Sequence, residues 1–211
     1  VNKYLASLPS KNKKEMWVDH PFENLKGQQE FVFNRGEDPK SSVEITYRTE
    51  AKYNSKDAYY LQCAGEALTI KLVENLREGE SGVYGVGARG SASQWAKGVY
   101  NFSISFPCGP ENVEKLKAAA LAEVDNLVKN GPSEKDLAKV KEAQKLELKE
   151  NMEKNRFWIS TLYSMYYNQE DFNDILKMDA EIDALTAENI KAAANKYIAS
   201  DRIITVLMPE K

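Results

Sequence analysis

The sequence predicts an α+β fold, a mainly antiparallel sheet with helices packed on one face. Three observations carry that expectation. Residues 43–48 alternate, with Val43, Ile45 and Tyr47 on one side and Glu44, Thr46 and Arg48 on the other, the period of two of a half-buried strand. Residues 56–78 place Leu61, Ala64, Gly65, Leu68, Leu72 and Leu76 at three- and four-residue spacing, the buried stripe of an amphipathic helix. The elements run strand, strand, helix, strand, strand, several helices, strand, an order satisfied by helices collected on one side of an antiparallel sheet.

Taken in order, residues 10–24 are polar and charged, hold the chain's one histidine, His20, and read as a connecting arm. A short strand is expected over 28–33, stopped by Arg35-Gly36, and the alternating strand follows. The long helix has Ser55 as its expected N-cap and Gly79 as its stop. Residues 83–88 read as a strand, and the small, hydrophilic stretch 89–98 as the link to the next one. There Tyr100, Phe102, Ile104 and Phe106 share a face, and the pair suggests an antiparallel hairpin. Val113, Leu116, Ala120, Val124 and Leu127 form a second helical stripe that ends at Asn130-Gly131. Ser133 and Asp136 have the spacing of an N-terminal cap pair. An aromatic-rich helix spans 156–167, whose Phe157, Trp158, Tyr163, Tyr166 and Tyr167 read as core packing and surface tyrosines. Thr186 caps a further helix to about residue 199. Residues 202–208 are apolar on both faces, as in a central strand. The expected layout is the arm, residues 1–24, and one domain, residues 25–211.

The chain has 211 residues, 42% hydrophobic and 29% charged, with a formal net charge of -3. This is the profile of an ordinary globular protein, long enough to bury roughly 70% of its unfolded surface. Acidic and basic residues are interspersed, so the basic stripe of a nucleic-acid binder is missing and no nucleic-acid partner is expected. No apolar run approaches the ~20 residues of a membrane span. The chain opens at Val1 without signal-peptide architecture and reads as a continuation from something upstream. Cys63 and Cys108 read as buried free thiols, with a single disulfide as the alternative.

Catalytic chemistry is sparse. A zinc hydrolase needs about three protein ligands and an open position, whereas His20 is the single histidine and sits beside Pro21 in the arm. Ser-His-Asp or Cys-His catalysis would need that same residue. The spacing of Gly82, Gly85, Gly87 and Gly90 fits no phosphate-binding fingerprint. No metal ligand is expected in this chain.

The segment Leu76-Arg-Glu-Gly-Glu-Ser-Gly-Val-Tyr-Gly85 resembles one in the C-terminal halves of pitrilysin/insulysin-family zinc peptidases, where a helix ends in Leu-Arg-Glu and a strand begins with Gly-x-Tyr. Arg77 and Tyr84 keep the seven-residue separation found there. Tyr4-Leu-Ala-Ser-Leu-Pro9 is similar to the chain just before such a domain. Phe106-Pro-Cys-Gly-Pro-Glu-Asn-Val113 is similar to the turn after it. The resemblance covers nearly the whole chain and is strongest over 40–155. It is closest in kind to the large bacterial members with four related domains in one polypeptide, of which this would be the last.

That resemblance implies a zinc bound in the complete enzyme by another domain, through an inverted His-x-x-Glu-His motif and a downstream glutamate. This chain lacks the motif. The partner implied is therefore an N-terminal zinc-binding half, in the same polypeptide or in a partner subunit. The C-terminal half closes the substrate chamber and contributes Arg77 to peptide binding and Tyr84 to peptide binding and oxyanion stabilisation. The chain alone is expected to be inactive. The compartment is open between periplasm and cytoplasm of a bacterium, the periplasm being favoured. Two other readings stand beside this one: a non-catalytic scaffold of the same superfamily, and a subunit that binds peptides without cutting them.

Overall fold

The structure is a computed structural model that describes residues 2–9, 11, 13, 16, 18, 25–79, 83, 85–95, 98–198 and 201–210, without side chains at 77–79. Five strands, β1 (Gln28–Asn34), β2 (Ser41–Glu50), β3 (Gly87–Ser93), β4 (Val99–Cys108) and β5 (Arg202–Met208), form one sheet in the order β1-β5-β2-β4-β3. The β2–β4, β2–β5 and β3–β4 pairs are antiparallel and β1–β5 is parallel, so the expected α+β class with a mainly antiparallel sheet holds. The alternation predicted in the two central strands is the observed one. Val43, Ile45 and Tyr47 of β2 and Tyr100, Phe102, Ile104 and Phe106 of β4 are all buried.

These side chains meet a layer formed by α1 (Ser55–Leu72), α2 (Val113–Asn130) and α6 (Ala187–Tyr197), each of which contacts strands. The Leu61, Leu68 and Leu72 stripe of α1 is buried to within 1%. Outside that layer, α3 (Glu134–Met152) packs on α1, and α4 (Asn155–Asn168) and α5 (Met178–Ala184) pack on α3. Lys117 of α2 fastens edge strand β1 to this layer by pairing with Glu30 at 2.7 Å.

Caps follow the expected chemistry with one shift. Ser133 Oγ accepts the Asp136 N–H at 3.1 Å, and Thr186 forms a full capping box with Asn189. The first helix is capped by Asn54, not by Ser55: Asn54 Oδ1 accepts the Asp57 N–H at 3.0 Å. Tyr100 decides this, because its hydroxyl accepts the Asn54 N–H at 2.8 Å and fixes the chain where it enters α1. The α-helix also ends earlier than the periodicity implies. From Val73 to Gly79 the backbone winds as a π-helix.

The largest departure concerns the third strand. Of the strand expected at 83–88, Val83 makes an isolated bridge to Cys108 and only Gly87 and Ala88 belong to β3, which continues to Ser93 through the stretch read as a link. The reason is packing. A Cβ on Gly90 would overlap the Leu61 carbonyl, and one on Gly65 would lie 2.7 Å from Gly90 N. Strand and helix touch backbone to backbone, so small residues replace the apolar alternation that marks other strands.

Two burial expectations are also corrected. β5 is interior, but it buries only Ile204 and Val206, and Leu207 on its other face is 39% exposed. In α4 only Met165 is buried. Phe157 and Trp158 are only half-buried, because α4 lies in the outer layer, whereas Tyr163, Tyr166 and Tyr167 are exposed, as surface tyrosines should be. Both cysteines are free and buried, which decides against the disulfide.

Candidate functional site

In the sequence, both predicted residues fall within the connection from α1 to β3. Arg77 has its backbone in the π-helical segment, and its side chain lies outside the described residues, as does Tyr84 altogether. What is described is how their neighbours are held. Leu76, just before Arg77, is fully buried, and Val83, just before Tyr84, is buried at the bridge to Cys108. Each candidate therefore follows a residue anchored in the core.

The π-helical segment is also clamped by polar groups. Glu74 accepts from Lys71 at 2.9 Å and from Lys139 of α3 at 3.0 Å. Asn75 donates to Glu123 of α2 at 2.6 Å. The two ammonium groups hold the Glu74 carboxyl well below its ordinary value, at about 2. Lys71 additionally pairs with the buried Asp136 at 3.2 Å. Arg77 falls within this π-helical segment.

A separate groove of about 580 Å³ lies between α1 and β3, within the usual 300–1,000 Å³ of ligand sites. Tyr59, Gln62 and Glu66 form one wall and residues 88–92 the other. The wall is knit together. The Tyr59 hydroxyl donates to Gln144 Oε1 at 2.7 Å, and Gln144 Nε2 donates to Glu66 Oε2 at 2.5 Å and lies 3.3 Å from Cys63 Sγ. Burial, reinforced by Cys63 and Glu66, raises the Tyr59 phenol, and burial pushes the Cys63 thiol up to about 11. Both groups are therefore neutral near neutral pH. Sequence reading missed this groove because it ended the strand at residue 88 and read 89–98 as a link. The one signal was the polar flank of α1 at 55, 59, 62 and 66, opposite the leucine stripe.

His20, the single histidine, lies outside the described residues. Among the described residues no three His, Cys, Asp or Glu side chains come together as metal ligands. These residues do not fit a zinc site.

The family description "Peptidase M16 inactive domain" matches residues 1–144. The chain belongs to this family. Among curated relatives, the probable zinc protease PqqL of Haemophilus influenzae is 27% identical over 209 residues, covering 98% of this chain and 22% of that protein. The zinc protease PQQL-like protein of Arabidopsis thaliana is 23% identical over 156 residues, covering 70% of this chain and 16% of that protein. The chain thus spans about a fifth of the length of the relatives it matches. Solved structures share the fold. The periplasmic protease PqqL from Escherichia coli superposes with a TM-score of 0.77 at 20% identity, over 94% of this chain and 22% of that one. The peptidase M16 inactive domain from Pseudomonas fluorescens gives 0.77 at 21% identity, over 98% of this chain and 48% of that one. Among the described residues, no M16 inactive-domain helix is long and apolar enough to cross a membrane.

Proposed function

We propose that this M16 inactive domain is the C-terminal part of a zinc endopeptidase, facing a zinc-bearing half and closing the substrate chamber over it. The observation that carries this reading is membership of an inactive-domain family whose curated relatives are named zinc proteases and are about five times longer. In this reading residues 1–24 are the arm from an upstream domain and 25–211 the domain itself. Zinc is held by another domain, and the substrate is an extended peptide. The periplasm is the favoured compartment, in keeping with the description of the Escherichia coli relative.

Arg77 and Tyr84 then act across the chamber. Peptide hydrolysis builds negative charge on the scissile carbonyl oxygen, and the Tyr84 hydroxyl donates a hydrogen bond to it. One such donor is worth about 2.7–4 kcal/mol in the transition state. The Arg77 guanidinium, permanently charged and rich in donors, takes the neighbouring peptide carbonyls. Mixing this chain with a half that carries His-x-x-Glu-His, in the presence of zinc, is expected to cleave unstructured peptides that neither part cleaves alone. Tyr84→Phe should then lower kcat by about 100- to 1,000-fold, and Arg77→Ala should mainly raise KM. A Tyr84→Phe complex that works at full rate sinks the oxyanion role. A mixture that assembles without cleaving supports the scaffold or peptide-holding reading instead.

A further inference from the structure

The groove beside β3 has an unusual wall. The Ala88 N–H donates to Thr69 Oγ1 at 2.9 Å, and the same hydroxyl lies 3.2 Å from the Ala88 carbonyl oxygen. Ala88 therefore turns its backbone groups away from β4, and Thr69 closes the strand edge there. Backbone direction alternates along an antiparallel strand, so Gly90 and Ala92 also turn theirs outward. Among the described residues, neither makes a hydrogen bond beyond the sheet. Gly90 is buried, and buried backbone groups are almost always paired. The chemical complement of such an edge is another extended backbone.

The opposite wall adds a charge. Among the described residues Glu66 accepts only from neutral amides, Gln62 at 2.9 Å and Gln144 at 2.5 Å, and no cation pairs with it. Arg89 also borders the groove, but it belongs to the odd-numbered set of β3, whose side chains face away from α1.

We propose that this groove binds an extended peptide that adds as a strand to β3 at Gly90 and Ala92 and sets a lysine or arginine side chain against Glu66. The inference rests on the reading above for its substrate class and deepens it by giving the domain its own binding site and a preference for basic segments. The test uses the 211-residue chain and three labelled, unstructured decapeptides that differ only at a central lysine, norleucine or glutamate, with affinity read by fluorescence anisotropy. The lysine peptide is expected to bind at least about tenfold more tightly than the norleucine one, as a charge-assisted contact of ~1.4 kcal/mol or more requires. Glu66→Gln should remove that preference, so that the lysine and norleucine peptides bind equally. Ala92→Pro removes an outward N–H from an edge strand, a position where proline is tolerated, and should weaken all three. Should Ala92→Pro fail to fold, N-methylating alternate amides of the lysine peptide makes the same test on the ligand side. Unchanged binding by Ala92→Pro or by the N-methylated peptide overturns strand addition. A lysine preference that survives Glu66→Gln overturns the charge assignment. If no peptide binds the chain, the groove is not a peptide site, and the peptidase reading still stands or falls on cleavage by the reconstituted complex.

Discussion

Gly65→Ala sets helix propensity against packing. In an exposed helix this change is favourable by about 0.8–1.0 kcal/mol. Here the new methyl would sit 2.7 Å from Gly90 N, 2.9 Å from Arg89 Cα and 3.1 Å from Ala88 O. Carbon contacts prefer about 3.5–4.0 Å, so α1 and β3 must separate by roughly 0.5–0.8 Å. All three obstructing atoms are backbone, and no rotamer change relieves the overlap. Overpacking of this kind costs about 1–3 kcal/mol, and the upper part of that range applies. The net expectation is a loss of about 1–2 kcal/mol, or roughly 2–8 °C in Tm for a chain of this size. Urea unfolding at 25 °C should show a lower midpoint with an unchanged m-value. Gly87→Ala, where an added Cβ meets nothing within 4 Å, is the matched control and should stay within about 0.5 kcal/mol of the parent. If Gly65→Ala is as stable as the parent, the close approach of α1 to β3 is wrong, and so is the reason given for the small residues of β3.

Two further expectations concern titrating groups. Glu74 has a folded value of about 2 against an ordinary 4.5. Its contribution to stability is complete above about pH 4.5 and is lost as pH falls toward 2. Glu74→Gln should flatten the acid limb of a stability-pH curve in that window, and an unaltered limb would show that the clamp on the π-helical segment contributes nothing. Cys63, raised to about 11, carries little thiolate at pH 8. Together with the buried Cys108 it should resist dithionitrobenzoate in the native chain and react fully in denaturant, whereas rapid native labelling would contradict the burial of both thiols.

Most of the fold was legible because apolar period and cap chemistry carried it. Val43, Ile45 and Tyr47 announced their strand by alternation, the stripes of α1 and α2 by their spacing, and Ser133 and Thr186 by side chains that can accept N–H bonds. The sequence reading failed where contact is made by backbone. β3 has few side chains to alternate, since its inner face touches α1 through Gly90, and only Gly65 opposite hints at that closeness. The Asn54 cap was obscured because its selection depends on Tyr100, 46 residues away. At the candidate site, the α1–β3 junction and the anchors Leu76 and Val83 could be read locally. The groove wall could not, since it joins Tyr59, Cys63 and Glu66 to Gln144 on a different helix.

The parallel pairing of β1 with β5 also orders events in time. Among the described residues β1 has β5 as its only neighbour in the sheet, in the register Gln28 with Arg202 through Asn34 with Met208. During synthesis, β2, β3 and β4 can hydrogen-bond to one another as soon as they emerge, but β1 must wait for about 170 further residues. At translation rates of about 5–20 residues per second, that is on the order of ten seconds or more. Throughout that interval Phe31, Val32 and Phe33 have no strand to join, and β2 keeps an open edge where β5 will insert. The first strand of this sheet to be made is thus the last one secured, and the nascent domain carries an unsatisfied strand until β5 arrives.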